Sequence, residues 1–290
     1  MPRRDRNSAP ALDTLPALEI ARLINAEDAK VAAAVERALP QIAEAIELIA
    51  DAIRRGGRLI YAGAGTSGRI AALDAAECPP TFNTKSVQFI MAGGTRALPH
   101  PDEAKEDSAA LGRRDMAGKK PSRQDVVAGL AASGHTPYTL AALEYARQRG
   151  ARTVAITCAA GSPLGRAAEV EIVAEVGSEV LAGSTRMKAG TAEKLICNML
   201  STGAMARLGY VYGNLMVNVP PRNLKLRERA IGILQQAAGV ERDTAARALK
   251  AAANRVPAAL IMLKAGVSKT EAQRRLKAAR GNVRRAIQSP

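Results

Sequence analysis

Arg58-Leu-Ile-Tyr-Ala-Gly-Ala-Gly-Thr-Ser-Gly-Arg69 is the stretch from which the fold is read. A short apolar run, residues 58–62, follows Gly56-Gly57, stops at glycines and small hydroxyl residues, and passes into a helical pattern. The same succession of apolar run, Gly- or Ser-rich turn and helical stretch begins again at residues 86–92, 125–131, 152–157 and 170–176. Strands that alternate with helices in this way predict βαβ units and a parallel sheet covered on both faces. In such a sheet the C-terminal ends of the strands share one edge, so the turns after them converge there.

Upstream, residues 15–55 carry Val31, Val35, Leu39, Ile42, Ile46, Ile49 and Ile53 at spacings of three and four, the period of an amphipathic helix, with Pro40 expected to kink or split it. Downstream of Pro220-Pro221 the pattern is helical again. Ser268 and Glu271 form a capping box there, and Gly266 and Gly281 stand where helices would end. The expected class is therefore α/β, with an N-terminal helical segment (residues 1–56), a parallel-sheet domain (57–220) and a small C-terminal helical domain (221–290). No repeat of 20 to 50 residues interrupts this plan.

The 290 residues are 47% hydrophobic and 24% charged, the composition of a globular protein. Of the formal +15, +12 falls on residues 222–290, where 16 Lys and Arg face 4 Asp and Glu. With no Trp, five Tyr and two Phe, little aromatic surface is available for stacking bases or sugars, and a bound sugar must be held by hydrogen bonds and charge. Three cysteines, Cys78, Cys158 and Cys197, form no CxxC pair, which favours reduced thiols and a cytoplasmic setting. Only His100 and His135 supply imidazoles, so no metal site and no Ser-His-Asp triad is expected, and carboxylates become the default catalytic groups. No run approaches the roughly 18 apolar residues that cross a bilayer, and the basic opening is followed by no continuous apolar stretch.

Three turns carry chemical signals. The first matches GxGxxG at Gly63, Gly65 and Gly68, but the acidic residue a dinucleotide site needs at the end of the next strand is replaced by Met91-Ala-Gly-Gly-Thr95. The alternatives are an anion cradle, with Gly65, Thr66 and Ser67 at a helix N-terminus, and a plain tight turn. The second is Ala131-Ala-Ser-Gly-His-Thr-Pro137, whose Ser133 and Thr136 can join the first across a crevice; no Walker lysine follows the glycines, which disfavours nucleotide hydrolysis. The third is Gly183-Ser-Thr-Arg-Met-Lys-Ala-Gly190, in which Ser184, Thr185 and Lys188 suit an anion while Arg186 and Lys188 can equally pair with Glu179 or Glu193.

The words GAGTSGRIAALDAAECPPTF, ASGHTPY, EVLAGSTRMKAGTAEKLICNMLST and GNLMVNVPPRNLKLRERAI resemble those of the N-acetylmuramic acid 6-phosphate etherases, which carry a sugar isomerase (SIS) domain. The resemblance runs from about Leu12 to the C-terminus. It implies a homodimeric carbon–oxygen lyase without a cofactor, which cleaves the D-lactyl ether of N-acetylmuramate 6-phosphate during cell-wall recycling. It places the acid glutamate on Glu77 and the second active-site glutamate on Glu106. Glu103 competes for that second role, though spacing from Gly93-Gly94 favours Glu106. His135, and Asn218 where Asp is common, depart from the family's pattern. The C-terminal helices are similar to the etherases' ubiquitin-associated-like bundle.

Two carboxyl groups have a chemical rationale of their own. Opening the sugar exposes an aldehyde that acidifies the C2 proton; a base removes it, an acid helps lactate leave C3, and water then adds by the reverse steps. Glu77 must arrive protonated, and Cys78-Pro79-Pro80-Thr-Phe82 is a donor-poor neighbourhood that would favour this. If Thr66 to Ala76 is one helix of roughly 15 Å, a sugar at its N-terminus would not reach Glu77. Either the phosphate then sits mainly on the Ser133/Thr136 loop, or Glu77 serves a neighbouring subunit. The rival reading is a sugar-phosphate sensor whose basic tail binds nucleic acid. The tail shows no helix-turn-helix signature and no stacking aromatics, so nucleic acid is not the expected partner.

Overall fold

The computed structural model describes residues 11–100 and 102–289; most of the basic opening, Pro101 of the Pro99-His-Pro101 stretch and Pro290 lie outside the described residues. Three helices come first: α1 (Ala17–Asp28), α2 (Val31–Glu36) and α3 (Leu39–Arg54). The chain breaks on either side of α2 rather than kinking at Pro40. Pro40 sits in the first turn of α3, where its missing N–H forfeits no intrahelical bond. Ile42, Ala45, Ile49 and Ala52 form the buried stripe of α3, which packs on the sheet.

The chain then alternates as the sequence pattern predicts: β1 (Leu59–Gly63), α4 (Gly65–Phe82), β2 (Val87–Met91), α5 (Ala109–Lys119), β3 (Val126–Leu130), α6 (Pro137–Gln148), β4 (Arg152–Thr157), α7 (Pro163–Ala167) and β5 (Val170–Val173). The five strands form one parallel sheet in the order β2-β1-β3-β4-β5. The last strand stops at Val173, short of the expected Val176, because its partner β4 ends at Thr157, opposite Val173. Ile60, Ala62, Val127 and Ala155 turn to one face, where Met116, Tyr138, Ala142, Leu143 and Leu164 cover them. Tyr61 lies in the opposite alternation, and its hydroxyl donates to Asp74 of α4 at 3.0 Å.

At the N-terminal edge of the sheet, Arg58 holds Asp125 through two bonds, Nε to Oδ1 at 3.0 Å and Nη2 to Oδ2 at 2.9 Å, and the Ser122 N–H also donates to Asp125 at 2.9 Å. Burial alone would raise the Asp125 pKa, but Arg58 and Ser122 outweigh it and hold the carboxyl below its usual value. The folded-state pKa is then lower than the unfolded one, so this stabilisation is present above about pH 4 and disappears as pH falls through the folded value. Asp125→Asn is expected to cost about 2–3 kcal/mol at pH 7, because Arg58 keeps a charge without its partner. Urea unfolding should show the gap to the parent chain shrinking as pH approaches 3.

Two compact units emerge: residues up to Ala75 together with Ser86–Leu200, and Ala76–Lys85 together with residues from Ser201 on. Helix α8 (Lys188–Leu208) begins in the first and ends in the second. The second unit adds α9 (Leu224–Ala238), α10 (Arg242–Ala251), α11 (Val256–Ala265), α12 (Lys269–Ala278) and α13 (Val283–Gln288). Its core gathers Ile231, Leu234, Leu249, Val256, Leu260, Ile261 and Val283. Ser268 caps α12 by accepting from the Glu271 N–H, as its position predicts, and Gly266 ends α11 in the left-handed conformation.

Candidate functional site

The strand order makes β1 the point where the sheet's progression reverses, since β2 flanks it on one side and β3 on the other. Gly63 and Leu130, the last residues of β1 and β3, are paired in register, so the turns after them open beside each other at the position where open α/β sheets bind ligands. The glycine triplet sets the first turn. A Cβ on Gly63 would lie 2.8 Å from the Gly68 N, and one on Gly68 would lie 2.8 Å from the Met91 Cβ, so both glycines let α4 start close against the sheet. Gly65 has φ +51°, and a Cβ there would stand 2.6 Å from Glu106 Oε1.

That contact locates Glu106. Its carboxyl lies against the first turn of α4, while its backbone carbonyl accepts from the Tyr138 N–H in the first turn of α6 at 3.1 Å. The half-buried side chain is thus tethered beside both turns of the crevice. Burial and then the negative charge of Glu103 raise the Glu106 pKa, with Arg69 opposing them. Glu103 is exposed in a short 3-10 turn, Glu103–Lys105. Arg69 is held in place by donating to the carbonyls of Leu98 and Ala97, both at 2.9 Å.

The second turn is a compact loop. Gly134 has φ +66°, the His135 N–H donates to Ser133 Oγ at 3.2 Å, and His135 Nδ1 lies 2.6 Å from the Ser133 carbonyl. The His135 ring therefore closes on its own loop. Thr136 stands at the N-cap of α6 without making a side-chain capping bond.

The remaining expected site residues divide. Thr66 lies in the first turn of α4 near Gly190, where a Cβ would meet the Thr66 Cγ2 at 3.3 Å. The Ser67 Oγ is 2.8 Å from Glu193 Oε1. Ser184 and Thr185 belong to the loop before α8, with Thr185 exposed. Lys188 is 2% exposed, and its Nζ donates to Glu27 at 2.7 Å. The Lys188 and Ala189 N–H groups both donate to the Glu179 carboxylate at 3.0 Å, so an internal acid occupies this helix N-terminus as a ligand anion would. Of the two alternatives for Lys188, the structure displays an internal ion pair, though with Glu27 rather than Glu179 or Glu193.

Glu77 lies near the C-terminal end of α4, which runs unbroken from Gly65 to Phe82 with Pro79 and Pro80 inside it. Cys78 and Phe82 are buried, whereas Glu77 is exposed, so the apolar neighbours in sequence turn to a different side of the helix. In the same unit Asn218 Nδ2 donates to the Phe82 carbonyl at 2.7 Å, a bond that an ionised Asp could not make.

The sequence offers Glu193 only as a partner for Arg186 or Lys188, not as a residue beside the ligand turns. A signal for it exists in the sequence: Ala189, Ala192, Glu193, Ile196, Cys197 and Leu200 follow the spacing of one buried stripe, and the glutamate is 1% exposed within it. Among the described residues no cluster of three or more His, Cys, Asp or Glu could hold a metal ion, and no helix is long and apolar enough to cross a membrane. None of the three cysteines forms a disulfide.

Two family models match the chain, one described as SIS domain over residues 115–202 and one as glucokinase regulatory protein N-terminal SIS domain over residues 41–147. An N-acetylmuramic acid 6-phosphate etherase of Burkholderia lata is 53% identical over 278 residues, spanning 95% of this chain and 91% of its own. One of Edwardsiella ictaluri is 49% identical over 289 residues, spanning 99% and 96%. Among solved structures, a phosphoheptose isomerase from Neisseria gonorrhoeae superposes with a TM-score of 0.52 at 18% identity, covering 66% of this chain and all of that one. A phosphoheptose isomerase is thus similar in fold, and so is an Escherichia coli protein solved as a complex, which gives 0.50 at 19% identity over 69% of this chain and 97% of its own. The SIS domain match names the fold type, and these two likenesses agree with it in fold.

Proposed function

The chain belongs to the N-acetylmuramic acid 6-phosphate etherases, and from that premise we propose that the crevice between the β1 and β3 turns holds the sugar phosphate while Glu106 acts as the base. The reaction is the family's: a carbon–oxygen lyase step releases D-lactate from N-acetylmuramate 6-phosphate and leaves N-acetylglucosamine 6-phosphate in cell-wall recycling. The observation that carries the site assignment is the Glu106 carboxyl against Gly65, between the first turns of α4 and α6.

In the open-chain form of the substrate the C1 aldehyde acidifies the C2 proton. Glu106 takes that proton, the C3–O bond breaks, and Glu77 supplies the proton that lactate carries away. Water then adds at C3 of the resulting enal, giving up a proton to the Glu77 carboxylate while Glu106 returns one to C2. The sum consumes one water and leaves both glutamates as they began. Ser67, Ser133 and Thr136 donate to the phosphate or adjoining oxygens, with the α4 N-terminus adding oriented N–H groups. Gly65 and Thr66 shape the approach, and Ser184 and Thr185 border it. Lys188, paired with Glu27, anchors the loop before α8 rather than touching the ligand.

Glu77 is exposed, which supports a homodimer in which the acid opposite Glu106 is the partner subunit's Glu77. Thiols outside disulfides support a cytoplasmic setting.

Incubation with N-acetylmuramate 6-phosphate is expected to release D-lactate in step with N-acetylglucosamine 6-phosphate. Unphosphorylated N-acetylmuramate should bind at least about tenfold more weakly, because the hydroxyl and N–H donors lose their anion. Binding of the phosphorylated sugar without lactate release would favour a sensor, and equal affinity for both sugars would contradict a phosphate site.

A further inference from the structure

We propose that Glu193 is a positioning residue that governs whether the Ser67 hydroxyl is available to the sugar phosphate: protonated, it donates to Ser67 Oγ and leaves the Ser67 O–H for the ligand, and ionised, it draws that O–H to itself. The proposal rests on the reading of Ser67 as a ligand donor.

The geometry supplies the switch. Ser67 stands in the first turn of α4, in the glycine turn that opens on the crevice, and its Oγ is 2.8 Å from Glu193 Oε1. Glu193 is 1% exposed on α8, among the buried Ala189, Ala192, Ile196, Cys197 and Leu200. A serine hydroxyl has one proton to give, so it can donate to Glu193 or to a ligand but not to both. A carboxylic acid behind it removes that competition by donating instead of accepting.

The surroundings favour the acid form. Burial pushes the Glu193 carboxyl up to about 8, against the pull of the Ser67 hydroxyl. The titratable groups that sense its charge are Cys158, after β4, and Cys197, one turn along α8. Burial first, then Glu193, pushes the Cys158 thiol up to about 12. Burial, then Asp74, then Glu193 raise Cys197, with Lys194 opposing them. Asp74 of α4 and Glu179 of the loop before α8 act on these thiols, and Lys194 is the cation next to Glu193 along α8. Burial thus favours the neutral form of Glu193 near neutral pH and sets its ionisation well above that of an ordinary glutamate. The sign follows: as pH rises through about 8, Ser67 is withdrawn and a buried negative charge develops behind the phosphate cradle, so affinity falls.

The probe is N-acetylglucosamine 6-phosphate, titrated calorimetrically into the full chain between pH 7.0 and 9.5, where its phosphate is already dianionic because a phosphate monoester's second pKa is about 6. The parent protein is expected to bind about tenfold or more weakly at pH 9.5 than at pH 7.0, the loss of one hydrogen bond to a charged group. In Glu193→Gln the amide donates to Ser67 at every pH, so affinity should match the parent at pH 7.0 and stay within about twofold across the range. Ser67→Ala should bind weakly at both ends and keep only the part of the slope that the charge on Glu193 adds. Persistence of the parent's slope in Glu193→Gln, or of its full slope in Ser67→Ala should the glutamine variant not fold, overturns the role of Glu193 in placing the Ser67 proton. An unchanged pH 7.0 affinity in Ser67→Ala instead overturns the reading of Ser67 as a ligand donor.

Discussion

Glu106→Gln is expected to lower turnover of N-acetylmuramate 6-phosphate by about 10² to 10⁴, the contribution of a positioned general base, while leaving sugar-phosphate binding within a few fold. The glutamine keeps the shape that fits beside Gly65 but cannot accept the C2 proton. Solvent deuterium isolates the step: the parent enzyme should exchange the C2 hydrogen of N-acetylglucosamine 6-phosphate, and Glu106→Gln should not. Because burial and then Glu103 raise the Glu106 pKa, the acid limb of kcat/KM should lie above that of an ordinary glutamate, with the rate rising as the base ionises. Glu103→Gln removes one of the charges that raise it, so that limb should move to lower pH with exchange retained. Exchange abolished by Glu103→Gln and intact in Glu106→Gln would reverse the assignment.

Gly112→Ala is expected to destabilise the first unit by about 3 kcal/mol or more. Gly112 lies in α5, and a Cβ there would stand 2.0 Å from the Tyr138 carbonyl oxygen in α6, so the two helices would have to part. A flexible side chain could yield at such a distance; backbone held in a helix cannot. The same displacement would pull on the Tyr138 N–H that holds the Glu106 carbonyl, so residual activity should fall beyond the loss of folded protein. Thermal unfolding combined with kcat on the folded fraction separates the two effects. A melting temperature within about 1 °C of the parent would show that α5 and α6 have room the structure does not display.

The alternation of five apolar runs with helices, the glycine turn after β1 and the Ser268 cap of α12 were legible in the chain because each rests on interactions within a few residues. Hydrophobic period, a left-handed glycine and a side-chain cap are local physics. The fate of Pro40 was local too, yet depended on the break before it, since the same proline that would kink a helix interior is compatible with a first turn. The resemblance implies Glu77 and, in competition with Glu103, Glu106 as the family's two glutamates, but it does not give their surroundings. The residues after Glu77 are apolar in sequence, and a helix spreads consecutive residues around its circumference, so Cys78 is buried and Glu77 exposed.

What the sequence determined by itself was the class of fold, the sites of the turns and the reaction its longest words resemble. Only the tertiary structure decided the strand order that sets β1 beside both β2 and β3, and that the Glu106 carboxyl lies against Gly65. It also decided that Lys188 meets Glu27 across 161 positions and that Ser67 meets Glu193 across 126. Such pairings depend on how whole elements pack, and a single chain read in order carries their local propensities without their distances. A glutamate in an apolar stripe is visible as an anomaly, but the hydroxyl that gives it a purpose comes from a different helix, brought to it only by the packing of α4 against α8.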